Sequence, residues 1–177
     1  MKLLVFSDVH GRSDRAEDVI LLHKDADAVL FLGDGLREVE RLSFDRPSLS
    51  PISVRGNCDG FSFLGASGDA PTERMLAFGG MKILMLHGFT PYDAKYGTLP
   101  LIAYAERRGA DILLYGHTHQ REERYLPEGS ELGSGILSDR PMWVMNPGSL
   151  GRPSDGVPSY GLVQIEGGRA LLSHGTL

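Results

Sequence analysis

Two rhythms alternate along the chain. Short continuous apolar runs are followed by segments in which apolar positions recur at helical spacing. Lys2-Leu3-Leu4-Val5-Phe6-Ser7 is the first such run, with the length and composition of a buried strand. Ala16, Val19, Ile20, Leu21 and Leu22 then predict an amphipathic helix from about Ser13 to His23, with Asp14 and Glu17 near its start. Ala28 to Leu32 reads as a second buried strand, Leu36 to Leu42 as a short helix, and Pro51 to Val54 as a third strand. Phe61 to Thr72 is a loop with two phenylalanines. Glu73 to Phe78 and Met81 to Leu86 flank Gly79-Gly80, which signals a hairpin. A loop from Phe89 to Thr98, a helix from about Pro100 to Arg108 and a strand from Asp111 to Tyr115 follow.

The alternation then stops. Arg121 to Leu126, Met142 to Met145, Tyr160 to Ile165 and Arg169 to Ser173 read as strands with no helix between them. Pro127 to Arg140 is a long polar loop, and Glu166-Gly167-Gly168 is a turn. The order is βαβαβ, a hairpin, αβ, then strands alone. A two-sheet sandwich with its helices outside accommodates it. No repeat, low-complexity tract or linker divides the chain, so one domain is expected over residues 1–177.

Composition narrows the function classes. A 41% hydrophobic content supports a core. A net charge of -5 argues against a nonspecific nucleic-acid binder, which needs a basic face. It leaves phosphate-bearing substrates open, because metal ions can supply the positive charge. The single cysteine, Cys58, excludes an internal disulfide framework. The apolar start is strand-length and lacks the layout of a signal peptide or a membrane span. The expectation is a cytoplasmic protein without membrane or nucleic-acid partners.

The chemistry lies where the strands stop. Five times an apolar run ends and a glycine-flanked Asp, Asn or His follows: Asp8/His10, Asp34, Asn57/Asp59, His87 and His117/His119. Four of the six histidines sit at such ends, and only His23 and His174 lie elsewhere. Residues two apart in a strand point the same way. If extended geometry carries through the first motif, Asp8 and His10 project to one side. Ligands gather outside the carboxyl ends of strands in layered α/β folds, so the five ends are expected to form one site. Carboxylates and imidazoles suit Mn, Zn or Fe. Two such ions ~3.5–4 Å apart clamp a phosphoryl group. A single-zinc hydrolase built on His117 and His119 would leave Asp34, Asn57 and His87 unexplained.

As a set, Asp8-x-His10, Gly33-Asp34, Gly56-Asn57-x-Asp59, His87-Gly88 and Gly116-His117-x-His119 resemble the signature of the calcineurin-like metallophosphoesterases. The size, the Gly-Asn-Cys-Asp variant and Asn146-Pro147-Gly148-Ser149 resemble the small bacterial and archaeal phosphodiesterase branch. The likeness spans Lys2 to about Ile165. It implies a four-layer αββα sandwich of two mixed sheets, with a dinuclear metal site at the strand C-terminal ends. Asp8, His10 and His119 would hold one ion, Asn57, His87 and His117 the other, and Asp34 would bridge them. A hydroxide shared by both ions would attack phosphorus in line, and Asn57 would also steer a phosphate oxygen. The expected cofactors are two divalent ions, manganese first, with iron, zinc and nickel compatible. By the same analogy the chain would form a dimer or tetramer.

Two positions depart from the wider superfamily. Many members carry histidine where Cys58 stands, and that imidazole is thought to protonate the leaving group. A thiol of pKa ~8.5 matches that work less well, so activity is expected mainly on small phosphodiesters with acidic leaving groups. Phe89 stands where many relatives read His-Gly-His. Asn57, Cys58 and Asp59 are thus the candidate catalytic residues, with Asp59 orienting its neighbours. Arg12 and Tyr92 are the candidate substrate contacts, and Phe61 and Phe63 lie in a neighbouring loop. The alternatives are a phosphomonoesterase of the same fold and a weakly catalytic interaction scaffold resembling the retromer subunit.

Overall fold

The computed structural model describes residues 1–45, 50–60, 70–133 and 135–177. Apolar runs become strands: β1 (Lys2–Phe6), β2 (Ala28–Phe31), β3 (Ile52–Ser53), β4 (Glu73–Phe78), β5 (Met81–Leu86), β6 (Ile112–Leu114), β7 (Arg121–Leu126), β8 (Met142–Pro147), β9 (Ser159–Glu166) and β10 (Arg169–Thr176). The helices are α1 (Ser13–Leu22), α2 (Leu36–Asp45) and α3 (Leu99–Arg107). One mixed sheet has the order β10-β9-β1-β2-β3 and the other β4-β5-β6-β8-β7. The two mixed sheets flanked by helices make the sandwich that the resemblance implies.

Three apolar clusters fill the layers. Leu3, Val5 and Leu30 from one sheet meet Ile83, Met85, Ile112 and Met145 from the other. Leu84, Leu86, Leu113 and Val144 point outward against Leu101, Ile102 and Ala105 of α3. Leu4, Phe6 and Phe31 point outward against Val19 and Ile20 of α1 and Val39 of α2. A strand buried on both faces must be apolar at successive positions, which is why β1, β5 and β6 show no alternation.

β1, β2 and β3 run parallel, as do β5, β6 and β8. The carboxyl ends of three strands in each sheet therefore open on one edge of the sandwich. Backbone bonds tie those ends together. Asp8 N donates to Gly33 O at 2.9 Å, Gly116 N to His87 O at 2.9 Å, and Gly151 N to Asp8 O at 2.8 Å.

Several boundaries differ from expectation. α2 runs to Asp45 rather than Leu42, because no proline or glycine interrupts the sequence before Pro47. β3 is two residues long, since Pro51 brings no N–H to a ladder. β8 continues through Pro147 and β10 through Thr176, because β7 and β9 supply full-length partners. The expected loop before Thr98 contains a 3₁₀ turn, Ala94–Tyr96. Most of the loop after Gly60, with Phe61 and Phe63, lies outside the described residues. No helix among the described residues is long and apolar enough to cross a membrane.

Candidate metal centre

The strand ends do not stay extended. Asp8 (φ 56°), His10 (φ 42°), Asp34 (φ 61°), His117 (φ 70°) and His119 (φ 58°) are all left-handed. Among the described residues they are the only non-glycine residues with positive φ. The expectation that Asp8 and His10 converge by strand alternation is therefore corrected. Tight left-handed turns aim them inward. Such backbone is rare in residues other than glycine and clusters at functional sites.

The motifs do meet. His10 Nε2 lies 3.2 Å from His119 Nε2. Asp8 Oδ1 is buried and receives no hydrogen bond from the described residues. Three imidazole nitrogens surround it: His119 Nε2 at 3.1 Å, His10 Nε2 at 3.7 Å and His87 Nε2 at 3.9 Å. Asp34 Oδ2 is 3.5 Å from His87 Nε2 and 3.7 Å from His10 Nε2. Asn57 Oδ1 is 3.1 Å from His87 Nε2. Three groups of donor atoms emerge close enough to share an ion: Asp8, His10 and His119; Asp8, Asp34 and His87; and His10, Asp34 and Cys58. A buried carboxylate oxygen ringed by three imidazole nitrogens fits a divalent cation. The donors are those that manganese, iron and zinc accept.

The far side of each ring is fixed. His87 Nδ1 donates to Leu32 O at 2.7 Å, and His119 Nδ1 donates to Arg152 O at 2.7 Å. Each bond leaves Nε2 as the lone-pair nitrogen facing the centre. His117 stands apart from the three groups. Its ring packs 5.1 Å from that of His87, and its Nε2 lies 3.0 Å from Asp93 Oδ1.

Charge follows this packing. Burial would raise the pKa of Asp8, but the His10 and His119 imidazoles and the charge on His87 hold it well below the usual carboxylate range. Burial opposes the charged form of His87, yet Asp34 and Asp8 outweigh it and hold its pKa above the ordinary value. His119 is raised chiefly by Asp8. His117 is lowered, first by burial and then by His87 and Lys95. Partial desolvation, and then Asp34, push the Cys58 thiol up to about 11.

The candidate catalytic and substrate residues occupy different surroundings. Asn57 and Cys58 are exposed at the mouth, 3.3 Å apart from Nδ2 to Sγ, and Cys58 N donates to Asp34 Oδ1 at 2.7 Å. Asp59 faces backbone instead. Its carboxylate accepts from the N–H groups of Asp34, Gly35, Leu36 and Gly56 at 2.8–2.9 Å. Arg12 turns to Asp14, with contacts of 3.0 and 2.7 Å. Tyr92 packs 6.0 Å from the Tyr104 ring and accepts from Arg107 Nη2 at 3.2 Å. Phe89 stands 5.8 Å from the His87 ring as an apolar wall.

Sequence reasoning missed Asp93, Asn146 and Arg152. Asn146 is buried and donates from Nδ2 to Gly116 O at 2.8 Å and to Thr118 Oγ1 at 3.0 Å, bracing the loop that carries His117 and His119. Its place in the Asn-Pro-Gly-Ser tract was a visible signal. Asp93 and Arg152 had none, because one acts across the fold and the other through its carbonyl.

Residues 1–168 match the profile of the calcineurin-like phosphoesterase superfamily domain. The probable metallophosphoesterase YsnB of Bacillus subtilis is 31% identical, over 97% of this chain and 89% of its own. Phosphodiesterase YfcE of Escherichia coli is 29% identical, over 92% of this chain and 87% of its own. The crystal structure of a predicted phosphoesterase from Streptococcus pneumoniae superposes with a TM-score of 0.73 at 26% identity, over 99% of this chain and 88% of that one. Vps29 of Entamoeba histolytica, solved with zinc, shares the fold at a TM-score of 0.64 and 21% identity, with 99% of each chain covered.

Proposed function

The chain belongs to the calcineurin-like phosphoesterase superfamily, and on that ground we propose that it is a metal-dependent phosphodiesterase acting on a small-molecule diester. The observation that carries this reading is the orphaned Asp8 Oδ1 with the nitrogens of His119, His10 and His87 at 3.1, 3.7 and 3.9 Å. Asp8, His10 and His119 would hold one divalent ion. Asp34, His87, His117 and Asn57 would hold the second, with Asp34 between the two. When bound, such ions polarise the phosphoryl group and lower the pKa of water. Manganese is the proposed metal, and iron, zinc or nickel would suit the same donors.

The remaining work falls to the protein. His87 and His119 hold their Nδ1 protons on backbone carbonyls, so Nε2 is the nitrogen that each would present to an ion, giving up any proton there as the ion binds. Asp59 holds the Asp34 and Gly56 backbones side by side. The exposed Asn57 amide stands at the mouth, where it can meet a phosphate oxygen. The residue beside it is a cysteine, so no imidazole is supplied there to protonate a departing alkoxide. That favours diesters with acidic leaving groups and weighs against a phosphomonoesterase. The name of the E. coli relative supports the diester. The Vps29 likeness concerns the fold alone, and a filled set of donors supports hydrolysis over a scaffold role. One free cysteine suits a reducing cytoplasm.

The test is hydrolysis of bis(p-nitrophenyl) phosphate beside p-nitrophenyl phosphate, with Mn²⁺ or with chelator. Diester turnover that needs metal and disappears in Asp34→Asn and His87→Ala is the expected result. Faster monoester turnover would move the assignment to phosphatase. No turnover with any divalent ion in folded protein would overturn the enzyme reading.

A further inference from the structure

Three of the four site histidines hold one ring nitrogen against a partner outside the donor groups, and the three partners differ in kind. His87 and His119 use backbone carbonyls, of Leu32 and Arg152. His117 uses a side chain, with its Nε2 3.0 Å from Asp93 Oδ1. We propose that Asp93 is a positioning residue that fixes His117 as a ligand of the second ion, an inference that rests on the two-ion reading above.

A carboxylate can only accept, so the His117 tautomer beside Asp93 carries its hydrogen on Nε2. Nδ1 is then the nitrogen left with a lone pair. The ring packs 5.1 Å from that of His87, which puts His117 on the side of the site where His87 and Asn57 lie. The main chain of His117 is tied at the same time, because its N–H donates to Asp8 Oδ2 at 3.1 Å. Asp8 thus sets the left-handed backbone and Asp93 sets the ring. A charged acceptor also makes the imidazole a stronger donor to metal than a neutral carbonyl would.

Asp93 is itself held. The same Oδ1 accepts from Lys95 N at 2.9 Å, which caps the turn Ala94–Tyr96. Ala94 N donates to Gly88 O at 2.7 Å, and Ala94 is buried in the cluster beneath α3. The turn after Phe89 is therefore anchored both to the His87-Gly88 motif and to the core. A preformed carboxylate on such a turn loses little freedom when the ion binds.

The experiment is a titration of chelator-stripped protein with Co²⁺, read by calorimetry and by the d–d absorption of the bound ion. Wild type should take up two ions. Asp93→Ala should weaken one of them by about 10–100-fold and leave the other unchanged. Asp93→Asn, which keeps an acceptor oxygen and the cap, should recover most of that loss. The long-range imidazole ¹⁵N spectrum of the metal-free wild type should show His117 as the Nε2–H tautomer. This reading holds the test even if Asp93→Ala does not fold. Asp93→Ala binding both ions with wild-type affinity, both ions weakening equally, or a His117 Nδ1–H tautomer would each overturn the proposal alone. Fewer than two ions in wild type would overturn the two-ion reading, and the role of Asp93 with it.

Discussion

Asp59 is a motif residue that does not face the metal centre, and its removal has a cost that the geometry sets. Oδ1 accepts from Gly35 N and Leu36 N at 2.8 and 2.9 Å, and Oδ2 from Asp34 N and Gly56 N at 2.8 and 2.9 Å. The Oδ1 pair acts as a cap on α2, and losing a cap costs about 1 kcal/mol. The Oδ2 pair belongs to buried residues, and stranding a buried N–H costs about 1–3 kcal/mol. Allowing for water that reaches the half-buried carboxylate, Asp59→Ala should lose about 3–5 kcal/mol. At about 2–4 °C per kcal/mol for a domain of this size, Tm falls by roughly 6–20 °C. Asp59→Asn keeps one acceptor oxygen and should lose about half as much.

Urea unfolding in the presence of chelator measures this. Chelator matters because a bound ion would add its own binding free energy to the folded state. Slopes against urea should match among the three proteins, so that midpoints report stability. A loss under about 1 kcal/mol for Asp59→Ala, outside the range worked from caps and buried donors, would refute the reasoning. So would equal losses for alanine and asparagine.

Two other changes read different parts of the fold. His23 packs edge-on against the Tyr160 ring at 5.0 Å and has its pKa lowered, first by burial and then by Lys2. The unfolded chain therefore binds this proton more readily, so the stability linked to His23 is complete above an unfolded pKa of about 6.5 and is lost as pH falls through the folded value. Tm measured against pH should be flatter on the acid side in His23→Gln than in wild type. Asn146→Ala removes two donated bonds and the bond from Gly148 N to Asn146 Oδ1 at 3.0 Å. It should cost about 2–4 kcal/mol by denaturation and weaken metal binding by calorimetry, because the loop of His117 and His119 loses its brace.

The fold was legible wherever a local signal coincided with the tertiary one. β1, β2, β5 and β6 are apolar on both faces, and only a strand buried on both sides explains that in so few residues. Gly79-Gly80 announced its hairpin. The ends of β3, β8 and β10 were not legible, because strand length depends on the partner strand. The motif residues could be found because glycine flanks each group and the groups recur at strand ends. Their left-handed backbone could not be found, since Asp and His in such motifs look the same whether extended or turned. Asp93 was hidden for a related reason: its partner lies 24 residues away, and no spacing rule links a 3₁₀ cap to an imidazole.

The left-handed residues bear on how the site and the fold share stability. A left-handed residue other than glycine costs about 1–2 kcal/mol, so Asp8, His10, Asp34, His117 and His119 together oppose folding by about 5–10 kcal/mol. That is comparable to the whole stability of a typical domain, about 5–15 kcal/mol. It persists because Asp59, Asn146 and Ser149 hold the turns by bonds to their backbone; Ser149 Oγ, for example, donates to Asp8 O at 2.9 Å. The strain can be isolated at His119 (φ 58°), which is the least enclosed of the five. His119→Ala and His119→Gly both remove the imidazole and its bond to Arg152 O. They differ only in backbone preference. In extended backbone, as at the exposed Glu123 of β7, glycine should be the less stable by about 0.5–1 kcal/mol. At residue 119 the order should invert, with His119→Gly more stable than His119→Ala by about 1 kcal/mol in metal-free protein. Alanine matching or exceeding glycine at 119, with the usual order at 123, would show that this turn is not strained and that its conformation follows from the side chains around it.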